Sequence, residues 1–117
     1  MFSIQQLNSI DTEYFRIIRI NFCSVTIQSR NTGHCWHILE QDYPGFYSCR
    51  IYHTHHFGTE YHEHGRGKSL ESCIQQIIAH DTWWLEHEER RSRRRILRIR
   101  HEQINDYMAI EYQEELA

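Results

Sequence analysis

Proline occurs once, at Pro44, and glycine only five times in 117 residues, so the chain has little linker material and reads as a single domain. No window approaches the ~18 apolar residues that would span a bilayer, so no membrane association is expected. The opening residues, MFSIQQLNSID, lack a basic stretch followed by an apolar run. No signal peptide is therefore expected, and a cytoplasmic location follows as the expectation. Cys23, Cys35, Cys49 and Cys73 are scattered with no C-x-x-C pair, which points to free thiols used as small apolar side chains. There is no G-x-S-x-G and no motif around any cysteine, so a Ser-His-Asp or Cys-His hydrolase is not supported. No internal repeat is present. A net charge of −3 argues against a chain devoted as a whole to nucleic acid.

What is present divides into a strand-like first half and a helix-like second half. Residues 13–22, EYFRIIRINF, fit a helical face through Tyr14, Ile17 and Ile18, but their β-branched and aromatic content favours a strand. CSVTIQS reads as a strand, RNTG as a turn and HCWHILEQ as the return. DYPG is a second turn, and FYSCRIYHTHHF with EYHEHG forms a further pair. From Ser69 the apolar period becomes helical, with Leu70, Ile74, Ile77, Ile78, Trp84 and Leu85 on one face. The fold class expected is α+β. An antiparallel sheet of four to five short strands over residues 13–64 packs on a C-terminal helix, and a second helical segment follows. Residues 1–88 form the core in this reading and residues 89–117 an arginine-rich helical extension. One helix or two with a short corner both fit the second half; a single helix would be about 70 Å long, so a break or a partner is expected, and EHEERRSRRR, which has no apolar residue, is the place to bend.

The stretch HTHHFGTEYHEHG carries the first candidate site. Histidine is abundant, at ten residues. If Gly58-Thr59 forms a two-residue loop, His55 pairs with His62 and His53 with His64. Strand alternation then points all four imidazoles to one face, where three of them can meet one Zn²⁺. His53, His55, His62 and His64 are thus the candidate ligands, with Glu60 as a fourth ligand or general base; the competing reading is a solvated histidine face with no cofactor.

The GRGKS stretch follows directly. Strand, glycine-bearing turn and helix is the context of an anion-binding turn, with Arg66 and Lys68 adding charge. A Walker A loop is excluded because His62 stands where its first glycine is required. Ser69 is a good N-cap and Glu71 suits the first turn, so capping explains the same residues. Strands leading into GRGKSLESCIQQIIAHDTWWL resemble the end of a double-stranded-RNA-binding domain over about a third of the chain. The resemblance implies a phosphate-gripping lysine cluster at the start of this helix, where this chain has only Lys68 followed by Glu71.

The second candidate surface is the arginine run. Arg90, Arg91, Arg93, Arg94, Arg95, Arg98 and Arg100 are seven of the thirteen basic residues, packed into eleven positions. On a helix they leave free a strip containing Ser92, Ile96 and Ile99, so Arg90, Arg91, Arg94, Arg95 and Arg98 offer a broad cationic face to nucleic acid or an acidic protein. Glu86 to Arg90 and Glu89 to Arg93 have favourable helical spacing. Ile96, Ile99, Ile104, Met108 and Ile110, with acidic Glu111, Glu114 and Glu115, suit self-association as a dimer of antiparallel helices. The aromatic residues, 13% of the chain, are expected mostly in the core, although adjacent Trp83 and Trp84 cannot both face it.

These features rank the functions. First comes a non-catalytic binding or accessory protein that contacts a polyanion or protein partner through the arginine helix and self-associates. A zinc-dependent phosphoesterase or nuclease built on the histidine hairpin is the alternative, with Lys68 or Arg66 steadying phosphate. An inhibitor of a host protein, carried by a phage or mobile element, is a further association without a mechanism.

Overall fold

The computed structural model describes residues 1–41 and 48–116, with side chains for the same residues except 107 and 109–116. The expected DYPG turn, the side chain of Ile110 and the acidic group at 111–115 lie outside the described residues. The elements run α1 (Ile4–Asn8), β1 (Phe15–Ile20), β2 (Ser24–Ser29), β3 (Cys35–Glu40), β4 (Cys49–Thr54), β5 (His62–Gly67) and α2 (Leu70–Leu116). The five strands form one antiparallel sheet in chain order, so the chain is α+β as its pattern predicts. Contacts divide the chain into two compact units, Met1–Thr82 and Trp83–Ala117.

In the first unit the strands alternate as half-buried strands must. Val25, Ile27, Trp36, Ile38 and Ile51 are wholly buried, and cross-strand partners Ile27↔Trp36 and Ile38↔Ile51 stack them in rows. Leu70, Cys73 and Ile77 of α2 close over that face, and Phe2, Ile10 and Phe15 complete the core. The inward helical stripe is thus Leu70, Cys73, Ile77 and Asp81, with Ile74 partly buried. Ile78 and Leu85, expected inside, are exposed. The 3-4-4 spacing of this stripe ends on Asp81, a position that a hydrophobicity pattern assigns to solvent.

Two glycines are set by geometry. Gly67 lies where α2 crosses the end of β5, and a Cβ there would stand 2.5 Å from Cys73 Sγ. Gly58 has φ +85°, as the expected turn requires. That turn is nonetheless wider than expected, because β4 ends at Thr54 and β5 begins at His62.

Three local features depart from or extend the expectations. The short α1 was not foreseen, although its capping box is written in the sequence: Ser3 Oγ accepts from Gln6 N and Gln6 Oε1 accepts from Ser3 N. Ser69 caps α2 as its position suggests, its Oγ accepting from the Ser72 amide. EHEERRSRRR does not break the helix, and α2 runs continuously from Leu70 to Leu116. Arg91–Glu88 and Arg93–Glu89 ion pairs sit on its surface there, and no glycine or proline interrupts it. All four cysteines are free, and Cys35, Cys49 and Cys73 are buried. Among the described residues no helix is long and apolar enough to cross a membrane.

Candidate functional site

The β4–β5 ladder decides the histidine geometry. His53 pairs with His62, not with His64, and the register shifts between Ile51 and Tyr52 because His64 is an extra residue in β5. The expected pairs, His55 with His62 and His53 with His64, therefore do not form. At His53 the slip is two residues, which keeps His62 on the same face, since side chains repeat every second residue.

They gather around His53. This ring is 1% exposed and stacks on Trp36, its partner across the β3–β4 ladder, with centroids 4.0 Å apart and planes at 23°. Trp36 is fixed in turn by its indole N–H, which donates to Ser29 Oγ at 3.1 Å. The rings of His34, His55, His62, His64 and His80 lie 5.0, 4.9, 5.2, 5.6 and 5.1 Å from that of His53. His34 stacks on His55 at 4.5 Å and 6°, and His64 meets His80 at 4.6 Å.

Within this cluster one donor set is tight. A nitrogen from each of His34, His53 and His80 lies within 4.8 Å of the other two, and His53 Nε2 stands 3.1 Å from His34 Nδ1 in a hydrogen bond. Of the four histidines expected as ligands, His53 belongs to this set, while His55, His62 and His64 are exposed at its rim. The sequence signals for the two unforeseen members are clear in retrospect. His34, Trp36 and Ile38 share strand parity, and all three are buried. His80 follows Ile77 by three on the inward helical stripe. His34 enters from the turn before β3, His53 from β4 and His80 from α2, so no sequence-local motif joins them.

The surroundings keep the imidazoles neutral. Burial, then neighbouring imidazoles, lowers His53 to about 3. Burial, then the neighbouring His55 imidazole, lowers His34 to about 4, with Asp81 opposing. Burial also lowers His80. Asp81 is completely buried, and its carboxylate accepts from Tyr14 OH at 2.8 Å and Thr32 Oγ1 at 3.1 Å. Burial is also the leading cause that raises the Tyr14 phenol to about 12.

Arg66 is not brought to this cluster. Gly67 pairs with Cys49, four residues along β4 from His53, a separation of about 13 Å. Gly65 and Gly67 face α2, so Arg66 projects from the opposite side of the sheet, where it pairs with Glu63 at 3.3 Å. Arg66 is thus directed away from the histidine face. That opposite side also holds an open groove of about 530 Å³, lined among others by Arg19, His37, Leu39, Tyr52 and Tyr61.

The second unit presents the arginines. Arg90 through Arg100 are exposed along α2. Arg91 pairs with Glu88 at 3.3 Å and lies 3.1 Å from His87 Nε2, and Arg93 pairs with Glu89 at 2.5 Å. The expected Glu86–Arg90 pair is not formed. Arg91, Arg94, Arg95 and Arg98 line a shared shallow concavity of about 280 Å³. Ile96, Leu97, Ile99, Ile104 and Met108 are exposed on the same helix, as is Trp83, which stacks on His87 at 5.0 Å. Comparisons with known protein families, with curated proteins and with solved structures yielded no match.

Proposed function

We propose that the protein is a small binding protein that grips nucleic-acid phosphates with the arginine face of α2. The observation that carries this reading is that Arg90, Arg94, Arg95 and Arg98 are exposed on a continuous helix with no ion-pair partner among the described residues. At 100° per residue, these four and Arg91 fall within about 140° of the circumference, a single face about 12 Å long. Guanidinium forks match phosphate oxygens in pairs, and local charge density, more than net charge, governs counterion release. The groove on the open side of the sheet adds compatible chemistry, since Tyr52, Tyr61 and His37 beside Arg19 are ring faces and a cation of the kind on which bases stack.

The test is binding of the untagged protein to duplex and single-stranded oligonucleotides over a salt series. Five arginines on phosphates set a slope of log K against log salt near −4.5 for duplex DNA. Replacing Arg91, Arg94 and Arg98 with Gln should reduce it by about 2.7. A slope unchanged by these substitutions refutes the reading, and absence of binding to either form moves the cationic face to an acidic protein partner. Self-association is favoured by a separate observation, the exposure of Ile96, Leu97, Ile99, Ile104 and Met108. Sedimentation should show a dimer that dissociates when Ile99 and Ile104 become Gln.

A further inference from the structure

The histidine cluster of the first unit supports an inference independent of nucleic-acid binding. We propose that His34, His53 and His80 form a three-imidazole site for a borderline divalent transition metal of the zinc class.

Geometry comes first. Ligand nitrogens about 2.05 Å from a tetrahedral Zn²⁺ stand about 3.3 Å from one another. The His34 Nδ1 to His53 Nε2 separation of 3.1 Å already matches one such edge. The whole donor set spans no more than 4.8 Å, so a modest turn of the His80 ring on its helix closes the other two. A turn, a strand and a helix that are remote in sequence supply one ligand each, and the packing that holds them is made by Trp36, Leu70, Cys73 and Ile77. The ligand frame is therefore positioned before any ion arrives.

The chemistry selects the metal. All three donors are imidazole nitrogens, with no carboxylate or thiol in the set. Such a set suits Zn²⁺, Co²⁺, Ni²⁺ and Cu²⁺, and it is a poor host for Ca²⁺ or Mg²⁺, which take oxygen. Neutral imidazole is the ligand form. Burial of the Asp81 carboxylate adds a negative charge whose field reaches both His34 and His80, favouring a cation there. Asp81 is held in place by Tyr14 and Thr32.

The rim gives access. His55, His62 and His64 are exposed, and their rings border that of His53. An ion can enter on that side, and a fourth ligand is available there from a rim imidazole or water. This differs from a ligand set of His53, His55, His62 and His64, in which the rim residues would be indispensable and His34 and His80 dispensable.

The experiment uses full-length untagged protein, stripped with chelator and titrated with ZnCl₂ by calorimetry and native mass spectrometry. Co²⁺ serves as a coloured substitute, because its visible bands report tetrahedral coordination. One metal per chain is expected. His80→Ala and His34→Ala should each weaken binding by more than the about 100-fold that loss of an outer-shell partner costs, and should remove the tetrahedral Co²⁺ bands. His80 is only half-buried, so His80→Ala should keep its far-ultraviolet dichroism and separate loss of metal from loss of fold. His37→Ala, on the opposite face of the sheet, should bind as wild type. His55→Ala with His62→Ala should retain zinc and shift the Co²⁺ spectrum at most. Failure of wild type to bind zinc tighter than millimolar overturns the proposal. So does a folded His80→Ala that binds as wild type, or loss of zinc in the rim variant but not in His80→Ala.

Discussion

Adding one methyl group at Gly67 tests how tightly α2 is seated on the sheet, and through it the placement of His80. The new Cβ would stand 2.5 Å from Cys73 Sγ, 3.2 Å from the Cys73 amide nitrogen and 3.4 Å from the Ser69 carbonyl. A carbon–sulfur contact relaxes to about 3.7 Å, so something must move by roughly 1 Å in a core packed to crystal-like density. Overpacking of this kind costs about 1–3 kcal/mol, offset by about 0.5–1 kcal/mol from the reduced freedom of the unfolded chain. A net loss of about 1–2 kcal/mol is expected for Gly67→Ala. Cys73→Ala alone opens a small cavity beside Gly67 and costs about 1–2 kcal/mol. Combining them lets the methyl group occupy the space vacated by Sγ. The double variant should therefore be more stable than the sum of the two single changes by at least about 1 kcal/mol. Urea unfolding followed by tryptophan fluorescence gives the three values; with a slope near 1–2 kcal/mol/M, each step moves the midpoint by about 0.5–1 M. Additive effects, or a Gly67→Ala protein as stable as wild type, would show that the helix does not cross β5 as closely as described.

Other outcomes follow from the same contacts. Asp81→Ala removes the acceptor for both Tyr14 OH and Thr32 Oγ1 at a wholly buried site, and should cost about 2–4 kcal/mol in the same unfolding assay; a loss below 0.5 kcal/mol, on the order of a surface substitution, would refute the pairing. In metal-free buffer, stability should fall with acid. His53 and His34 titrate at about 3 and about 4 in the folded protein against about 6.5 unfolded, so the unfolded chain binds more protons between those values. Their contribution is complete above pH 7, begins to be lost below about 6.5, and declines on the order of 2 kcal/mol per pH unit at its steepest. An unfolding midpoint unchanged between pH 7 and pH 5 would contradict neutral burial. Ser69→Ala should cost about 1 kcal/mol through the lost cap on the Ser72 amide, while Ser69→Gly should cost only a few tenths; equal losses would assign Ser69 some other role.

Local chemistry made much of this molecule readable from its sequence. Alternation of apolar residues marked β2, β3 and β4; Ser69 and Glu71 marked the start of α2; absence of glycine and proline beyond Lys68 left the helix nothing to break it. The arginine face and the apolar positions beside it follow from helical spacing alone. The inward side of α2 was harder to read, because a hydrophobicity pattern places Ile78 and Leu85 inside and Asp81 outside, whereas the turns before β1 and between β2 and β3 provide Tyr14 and Thr32 to satisfy a carboxylate at that depth. The histidine site shows the same division. That several imidazoles would share a face is contained in strand parity, and a two-residue slip leaves parity intact. Which of them meet nitrogen to nitrogen depends on the bulge at His64, the width of the 55–61 turn and the passage of α2 over Gly67. Those are long-range outcomes of packing, in which ladder pairing and core volume outweigh any preference that neighbours in sequence can express, and so tertiary structure alone brought His34 and His80 to His53.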